Sequence, residues 1–274
     1  MNAEKVIILS DMDGTLLNSK KQISGTDMAA IEKFMALGGK FTVATGRTIQ
    51  SFAQYRKMID LKYPVIMYNG GGIYDWNEEK LIYTSPLPEE AREMAGELLR
   101  LMPELGGEVL TTENTYVFSN TEYMQYHTRI CGISPEFAVL SEIPHSDWLK
   151  VLFTIAPEEI MNLELLVKYL GYDKKADFVK SSDIFFEMLP KGISKGSALE
   201  EYRRLEGMEG LTFVAIGDFN NDIEMIKAAD IGACPANAED SVKKAADIVL
   251  ERTNDEGAVA EFIEYILNLR DNDE

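Results

Sequence analysis

Residues 6–17 read V-I-I-L-S-D-M-D-G-T-L-L, and the interpretation of the whole chain starts from them. An apolar run that ends in two aspartates, a glycine and a threonine is typical of a buried strand whose carboxyl end opens into a polar turn. Side chains two residues apart on an extended chain point the same way, so we expect the carboxylates of Asp11 and Asp13 to lie close together. A bound cation or a shared proton would relieve their repulsion. A solvated turn also uses Asp and Gly, so the pair alone leaves both interpretations open.

The length and composition predict a soluble globular protein of the cytoplasm. The chain has 274 residues, of which 46% are hydrophobic, enough for one large domain or for a core with a second, smaller domain. No apolar run approaches the roughly 20 residues that a membrane-spanning helix needs. The N-terminal M-N-A-E-K lacks a secretory pattern.

The formal net charge of -19 argues against nucleic acids and anionic membranes as partners, because both would be repelled. An anionic small substrate would need a metal ion or a few well-placed Lys and Arg side chains. Cys131 and Cys234 match no metal-ligand spacing and are expected to be reduced thiols. His127 and His145 have neither a nucleophile nor partner ligands nearby in the sequence, so we expect polar residues without a catalytic role.

The segments after the first strand predict a parallel α/β sheet. Thr26 is a candidate cap for a helix that runs to Gly38, and Lys40 to Ala44 form the next strand. That strand ends in Thr45-Gly46-Arg47, again polar residues where an apolar run stops. Ligands of parallel α/β sheets collect at the carboxyl ends of the strands, so Asp11, Asp13 and Thr45 should share one rim.

The middle of the chain changes character beyond residues 80–84. Pro86 and Pro88 interrupt it, and helical and strand-like segments follow as far as Pro190. We interpret residues 85–189 as an inserted α/β unit, and residues 1–84 and 190–274 as the core. Before this point, Asn69-Gly70 indicates a tight turn or hairpin, with a contact to substrate as the alternative reading of Asn69.

Two later segments add polar groups to the predicted rim. Ser194 can cap a helix whose first turn contains Lys195, a poor place for a cation unless an anion is nearby. The stretch G-D-F-N-N-D at 217–222 also follows an apolar strand and could be an Asn/Asp-rich cap. One cap needs only one such residue, so the additional groups suggest a site. Several carboxylates with one hydroxyl and one ammonium favour Mg²⁺ and phosphoryl transfer.

Four motifs occur in order: D-M-D-G-T-L (11–16), T-G-R (45–47), K-G-I-S-K-G (191–196) and G-D-F-N-N-D (217–222). Together they resemble the haloacid dehalogenase-like (HAD) phosphatases, specifically the Cof-type sugar phosphatase branch. The resemblance implies a three-layer α/β core with a mostly parallel sheet. It also implies that residues 85–189 are a mobile α/β cap that selects the substrate.

The same resemblance implies roles for individual residues. Asp11 would be the nucleophile that forms an aspartyl-phosphate, and Asp13 would protonate the leaving alcohol and then activate water. The implied Mg²⁺ ligands are Asp11, the backbone carbonyl of Asp13, and Asp218, with Asp222 in support. The residues implied to bind or border the phosphoryl group are Thr45, Gly46, Arg47, Lys195 and Asn221.

We therefore predict a Mg²⁺-dependent phosphatase that acts on small phosphate monoesters such as sugar phosphates. A phosphomutase with the same motifs is one alternative. A phospho-acceptor signalling protein of the receiver type, which also phosphorylates an Asp, is another, although such a domain is far shorter than this chain. The sequence does not indicate the physiological substrate, the cap residues that select it, or the oligomeric state.

Overall fold

A computed structural model of the protein describes residues 1–56, 58–132, 134–144 and 147–269, so His145 lies outside the described residues. Strands and helices are numbered here in chain order. The strands are β1 (Val6–Ser10), β2 (Lys40–Val43), β3 (Val65–Met67), β4 (Gly72–Asp75), β5 (Lys80–Thr84), β6 (Gly106–Thr111), β7 (Thr115–Ser119), β8 (Glu136–Phe137), β9 (Trp148–Thr154), β10 (Ala176–Lys180), β11 (Phe185–Pro190), β12 (Thr212–Ile216), β13 (Ile231–Cys234) and β14 (Ile248–Val249). The α-helices are α1 (Gly25–Ala36), α2 (Ile49–Arg56), α3 (Ala91–Leu101), α4 (Glu122–Cys131), α5 (Ile160–Leu170), α6 (Lys195–Tyr202), α7 (Ile223–Ala228), α8 (Asp240–Lys243) and α9 (Ala258–Asn268).

The chain divides into two compact units. The first unit consists of Met1–Gly46, Ala53–Ile82 and Ser194–Glu274, and the second of Arg47–Phe52 and Tyr83–Ile193. None of the described helices is both long and apolar enough to cross a membrane.

The first unit is built around a five-stranded parallel sheet with the strand order β14-β13-β12-β1-β2. All five residues of β1 are buried, as expected for the V-I-I-L-S segment of a strand that helices cover on both faces. Helix α1 packs against α9, and α6 packs against α7. The predicted three-layer α/β core with a parallel sheet is therefore confirmed.

A smaller three-stranded sheet, β3-β4-β5, is joined to the edge of the main sheet by one parallel bridge between Ala44 and Ile66. Strands β3 and β4 are antiparallel and are connected by a tight turn over Tyr68–Gly70. The turn predicted at Asn69-Gly70 is confirmed.

The second unit contains a six-stranded, mostly antiparallel sheet with the order β10-β11-β9-β6-β7-β8. One face of this sheet forms an apolar core with α3 and α5, in which Val151 and Phe153 are buried with Leu98 and Leu163. On the opposite face, α4 packs against β6 and β9. Sequence analysis did not predict α4. Its ten residues include two tyrosines, Thr and Ile, which have modest helix propensity, and only Met124 and His127 are buried.

The start of α1 corrects one prediction. Ser24, and not Thr26, is the N-cap, because its hydroxyl accepts a hydrogen bond from the Asp27 amide at 3.0 Å. The Ser24 hydroxyl also donates to the Asp27 carboxylate at 2.7 Å. The other carboxylate oxygen of Asp27 accepts a hydrogen bond from the Ala260 amide of α9 at 2.8 Å. Asp27 therefore supports the Ser24 cap of α1 and holds α9 against this helix.

We expect Asp27→Ala to lower the free energy of unfolding by about 1–3 kcal/mol, because the buried Ala260 amide loses its acceptor. Asp27→Asn keeps an acceptor oxygen and should cost less, since burial raises the pKa of Asp27 and already disfavours its charge. Urea unfolding measures both effects. Glu32→Ala on the exposed side of α1 is the control and should change stability by less than about 0.5 kcal/mol. Equal stability of the wild type and Asp27→Ala would contradict this role.

Candidate active site

The ends of three neighbouring parallel strands bring the predicted site residues together. Strand β1 lies between β12 and β2 in the sheet. Asp11 directly follows β1, Thr45 follows β2, and Asp218 follows β12. The Asp11 amide donates to the Ile216 carbonyl at 2.9 Å, which extends the β1–β12 pairing to the rim. The shared rim predicted from the sequence thus exists for these three residues.

Lys195 is buried completely and lies between two carboxylates. Its Nζ donates to Asp11 Oδ1 at 2.5 Å and to Asp222 Oδ1 at 2.6 Å. Ser194 caps α6 through a reciprocal pair of hydrogen bonds with Ser197, and this cap fixes Lys195 as the first residue of the helix. The unfavourable position of a cation in the first turn is thereby explained, since two anions face it.

The absence of a side chain at Gly196 allows α6 to approach the α7 segment closely. A Cβ atom at Gly196 would lie 2.5 Å from the backbone carbon of Glu224. A larger residue would push the two helices apart and move the adjacent Lys195 away from Asp222. The second glycine of K-G-I-S-K-G is therefore required by packing.

Three carboxylates form one cluster. Asp11, Asp218 and Asp222 each offer an oxygen, and these oxygens all lie within 4.8 Å of one another. The Thr15 hydroxyl donates to Asp218 Oδ1 at 2.8 Å. A Cβ atom at Gly14, where φ is +90°, would lie 2.2 Å from Asp218 Oδ2. The D-G-T part of the first motif thus positions the aspartate of the fourth.

Asp222 differs from the other two acids because the protein supplies donors to both of its oxygens. Lys195 donates to Oδ1, and the amides of Asp218 and Phe219 donate to Oδ2 at 3.0 and 3.1 Å. The Asp222 side chain is buried and accepts hydrogen bonds from three donors. This arrangement agrees with a supporting position for Asp222 within the cluster.

The electrostatics of the cluster call for an additional cation. Burial raises the pKa of Asp11 well above its usual range, and Asp222 and Asp218 raise it further, while Lys195 acts in the opposite direction. Burial, together with the charge of Asp222, raises the pKa of Asp218 to about 7. Burial alone would lower the pKa of Lys195, but Asp11 and Asp222 outweigh it and raise that pKa. One ammonium facing three carboxylates leaves an excess of negative charge.

The donor set fits a hard divalent cation. All three side chains of the cluster offer carboxylate oxygens, which Mg²⁺ prefers, and this cluster of described residues includes no cysteine or histidine. A cation here would also remove the penalty that raises the pKa values of Asp11 and Asp218. Asp11 and Asp218 are the carboxylates best placed to hold it.

Asp13 is more exposed than Asp11. Its carboxylate is 39% exposed and accepts a hydrogen bond from Lys21 Nζ at 2.7 Å, whereas the Asp11 side chain is only 8% exposed. The chain leaves the strand at Asp11 and turns before Asp13, and the expected proximity of the two carboxylates stays a prediction. Asp13 remains close enough to raise the pKa of Asp218 by its charge.

Asn69 connects two of the predicted motifs. The backbone amide of Asn69 donates to the Thr45 carbonyl at 3.1 Å, and its side-chain oxygen accepts a hydrogen bond from Asn221 Nδ2 at 3.0 Å. Asn69 is buried and has φ +55°, a conformation that Asn tolerates better than most residues. A Cβ atom at Gly46 would lie 2.8 Å from the Asn69 oxygen. Asn69 therefore forms the turn and also links Thr45 to Asn221 at the site.

The sequence did not reveal the bonds that Thr15 and Asn69 form. Thr15 is part of the D-M-D-G-T-L motif, but its partner lies 203 residues away, so no local pattern reveals the bond. The N-G pair indicated a turn, with a contact of Asn69 to substrate as the alternative, but not the bond from Asn221. Arg47 belongs to the second unit, and the position of its side chain beside a phosphoryl group stays a prediction.

Comparison with known proteins agrees with this geometry. Residues 8–263 match the model of a family described as haloacid dehalogenase-like hydrolase. The 5-amino-6-(5-phospho-D-ribitylamino)uracil phosphatase YcsE of Bacillus subtilis is 31% identical over 263 residues, which cover 94% of each chain. A solved haloacid dehalogenase-like hydrolase from Bacteroides thetaiotaomicron is 29% identical, with a TM-score of 0.80 over 95% of this chain and 99% of that one. The HAD subclass IIB sugar phosphatase BT4131 shares the fold, with a TM-score of 0.83 at 21% identity over 96% of this chain and 100% of that one.

We expect the metal-free protein to lose stability as the pH rises from 5 to 8. The folded state holds the Asp218 proton up to a pH of about 7, whereas the unfolded chain releases it near pH 4, so the stabilising contribution of that proton disappears over this range. Asp218→Asn cannot ionise but keeps an acceptor for Thr15. In urea unfolding with EDTA, the stability of the variant relative to wild type should rise by about 2–3 kcal/mol between pH 5 and pH 8.

Asp60→Asn, at a side chain that is 86% exposed, is the matched control and should follow the wild type at both pH values. A constant difference between Asp218→Asn and the wild type across the range would show that Asp218 is already ionised at pH 5.

Proposed function

The chain belongs to the Cof-type haloacid dehalogenase-like hydrolases, as its four motifs predicted, and we propose that it is a Mg²⁺-dependent phosphatase of small phosphate monoesters. The chain is a phosphoric monoester hydrolase, since it belongs to this family and its relatives include named phosphatases. The observation that carries the mechanism is the pairing of the buried Asp11 carboxylate with Lys195 at 2.5 Å, beside two further carboxylates. A lone acid in this position would only be repelled by a phosphate.

In the proposed first step, a carboxylate oxygen of Asp11 attacks the phosphorus atom. A new P–O bond forms to Asp11, the P–O bond to the leaving alcohol breaks, and Asp13 gives its proton to the alcohol oxygen. In the second step, water attacks the phosphorus atom of the aspartyl-phosphate and Asp13 takes the proton of that water. The Asp11–phosphorus bond then breaks, which releases inorganic phosphate and restores both acids.

The different surroundings of the two aspartates support this division of roles. Asp11 is buried and paired with Lys195, so its side chain is held in place for attack. Asp13 is partly exposed, with Lys21 as its partner, and can exchange a proton with an alcohol or with water.

Asp11, the backbone carbonyl of Asp13, and Asp218 are the proposed Mg²⁺ ligands, and Asp222 supports them. When bound, the metal ion would neutralise the repulsion between the nucleophile and the phosphate. The raised pKa values of Asp11 and Asp218 support this assignment, since both acids must ionise at neutral pH to act. Asp222 holds Lys195 and the backbone at Asp218 in position.

The proposed phosphate contacts are the Thr45 hydroxyl and Lys195. The ammonium group has three N–H bonds, and Asp11 and Asp222 take two of them, so the third can be donated to a phosphoryl oxygen. Asn221 lies near this position through its bond to Asn69, and Gly46 is in close contact with Asn69. Arg47 completes the proposed set.

We assign the choice of leaving group to the inserted residues 85–189. The Bacillus subtilis relative is named for a compound with a 5-phospho-D-ribityl group, which supports a phosphate ester of a sugar or of a sugar-like chain. The net charge of -19 would oppose nucleic acids and anionic membranes, so the proposed partner is a small phosphorylated metabolite of the cytoplasm.

Asp11→Asn should lower the release of inorganic phosphate at least about 1000-fold, because the amide cannot form the acyl-phosphate bond. The measurement is phosphate release from a panel of sugar phosphates and related monoesters with Mg²⁺. The far-ultraviolet circular dichroism should stay close to that of the wild type, whereas the thermal midpoint should fall because the buried Lys195 keeps only Asp222 as a full anionic partner. Asp240→Asn is an exposed control. Substantial Mg²⁺-dependent turnover by Asp11→Asn would remove Asp11 from the nucleophile role.

The same assay separates the alternatives. Formation of an isomeric sugar phosphate without phosphate release would identify a phosphomutase. A long-lived aspartyl-phosphate with no turnover of any ester would instead identify a phospho-acceptor switch.

Treatment with EDTA should abolish turnover by the wild type, and added Mg²⁺ should restore it, because the carboxylate cluster lacks sufficient positive charge without a cation. Phosphate release before treatment, after treatment and after addition of Mg²⁺ is compared in one preparation. Undiminished hydrolysis by the metal-free sample would contradict the proposed charge balance.

A further inference from the structure

The second unit contains a cluster of ionisable groups that phosphoryl transfer does not use. His127 on α4 lies between Cys131 and Glu108. The Cys131 sulfur is 3.5 Å from His127 Nδ1, and His127 Nε2 is 3.4 Å from Glu108 Oε1. His127 and Cys131 are four residues apart and so lie on the same face of α4, while Glu108 comes from β6.

His127 is held in this position by its surroundings. Its side chain is buried, and the ring of Phe185 on β11 contacts it edge-on with a centroid distance of 4.9 Å. Glu108 is 1% exposed, and its second oxygen has no hydrogen-bond partner among the described residues. An anion in such a position is stabilised mainly by a neighbouring positive charge.

The charge state of His127 follows from these contacts. Burial alone would lower the pKa of His127, but the hydrogen bonds and charges of Cys131 and Glu108 outweigh it and raise this pKa to about 9. His127 is therefore an imidazolium at neutral pH. Lys150 of β9 and Glu187 of β11, which also lie on this face of the sheet, form a buried ion pair at 3.1 Å.

An imidazolium beside a thiol favours the thiolate, which is the form of cysteine that reacts. The position of Cys131 at the end of α4 acts in the opposite direction, because a helix carries about half a negative charge at its C-terminus. His127 is in direct contact with the sulfur, at 3.5 Å, whereas the charge at the helix terminus is spread over the last backbone carbonyls. Cys131 is partly exposed, whereas Cys234 is buried in β13 of the first unit.

We propose that Cys131 is the reactive thiol of this protein and a site of reversible mixed-disulfide formation with small disulfides, with His127 as the residue that positions and charges it. The Cys131 thiolate attacks one sulfur of the small disulfide, a new S–S bond forms, and the original S–S bond breaks. The second sulfur leaves as a thiolate and takes a proton from solvent. Cys131 is oxidised and half of the small disulfide is reduced. This site is independent of the phosphatase function proposed for Asp11.

The test compares iodoacetamide alkylation rates in the full-length wild type and three variants. At pH 7 the wild type should show one fast-reacting thiol, Cys131→Ser should lose it, and Cys234→Ser should keep it. His127→Gln should slow the reaction at pH 7 at least tenfold, yet react at nearly the wild-type rate at pH 10, where any accessible thiol ionises. Incubation with oxidised glutathione, followed by mass spectrometry, should place one glutathione on Cys131 and none on Cys234.

Equal rates for His127→Gln and the wild type at pH 7 would overturn the proposal, and so would a fast thiol at Cys234. A rate that is reduced equally at pH 7 and pH 10 would also overturn it, since this indicates altered access to the sulfur and not an altered charge. Circular dichroism monitors folding. Should His127→Gln not fold, Glu108→Gln decides the question, because it removes the anion that sustains the imidazolium and should slow alkylation at pH 7 alone.

Discussion

The first unit depends on the ion pairs that the fully buried ammonium group of Lys195 forms with two carboxylates. A lysine without exposure to solvent is stable only when anions and hydrogen-bond acceptors surround it, and Asp11 and Asp222 provide both. These three residues come from the end of β1, the start of α6 and the segment before α7. One cation thereby fixes three separate chain segments at the rim of the sheet, which is also where the proposed chemistry takes place.

The same rim has an excess of negative charge that a stable core would avoid. Asp218 lies beside Asp11 and Asp222, and burial makes each additional charge costly. The bond from Thr15 and the space left by Gly14 keep Asp218 in the cluster despite this cost. The arrangement favours function over the stability of the metal-free protein, as is common where catalytic groups are preorganised.

The sequence was sufficient for the sheet and for the identity of the rim residues, because apolar strands that end in polar motifs place those motifs at one edge. The sequence was less informative where contacts between residues far apart in the chain determine the local structure. The choice of Ser24 as cap depends on the bonds of Asp27, and no sequence pattern indicated the ion pair between Asp13 and Lys21. Helix α4 was missed because its burial consists largely of one methionine and one histidine, which gives little apolar periodicity.

The pairing of β1 with β12 links the two ends of the chain. Val6 is the register partner of Thr212, so this pair of the parallel sheet forms only after the second unit has been synthesised. Strand β1 can pair with β2 earlier, because β2 follows it within the first 43 residues. The second unit has its own buried core and can also collapse before β12 leaves the ribosome, so the parallel sheet of the first unit is completed last during translation.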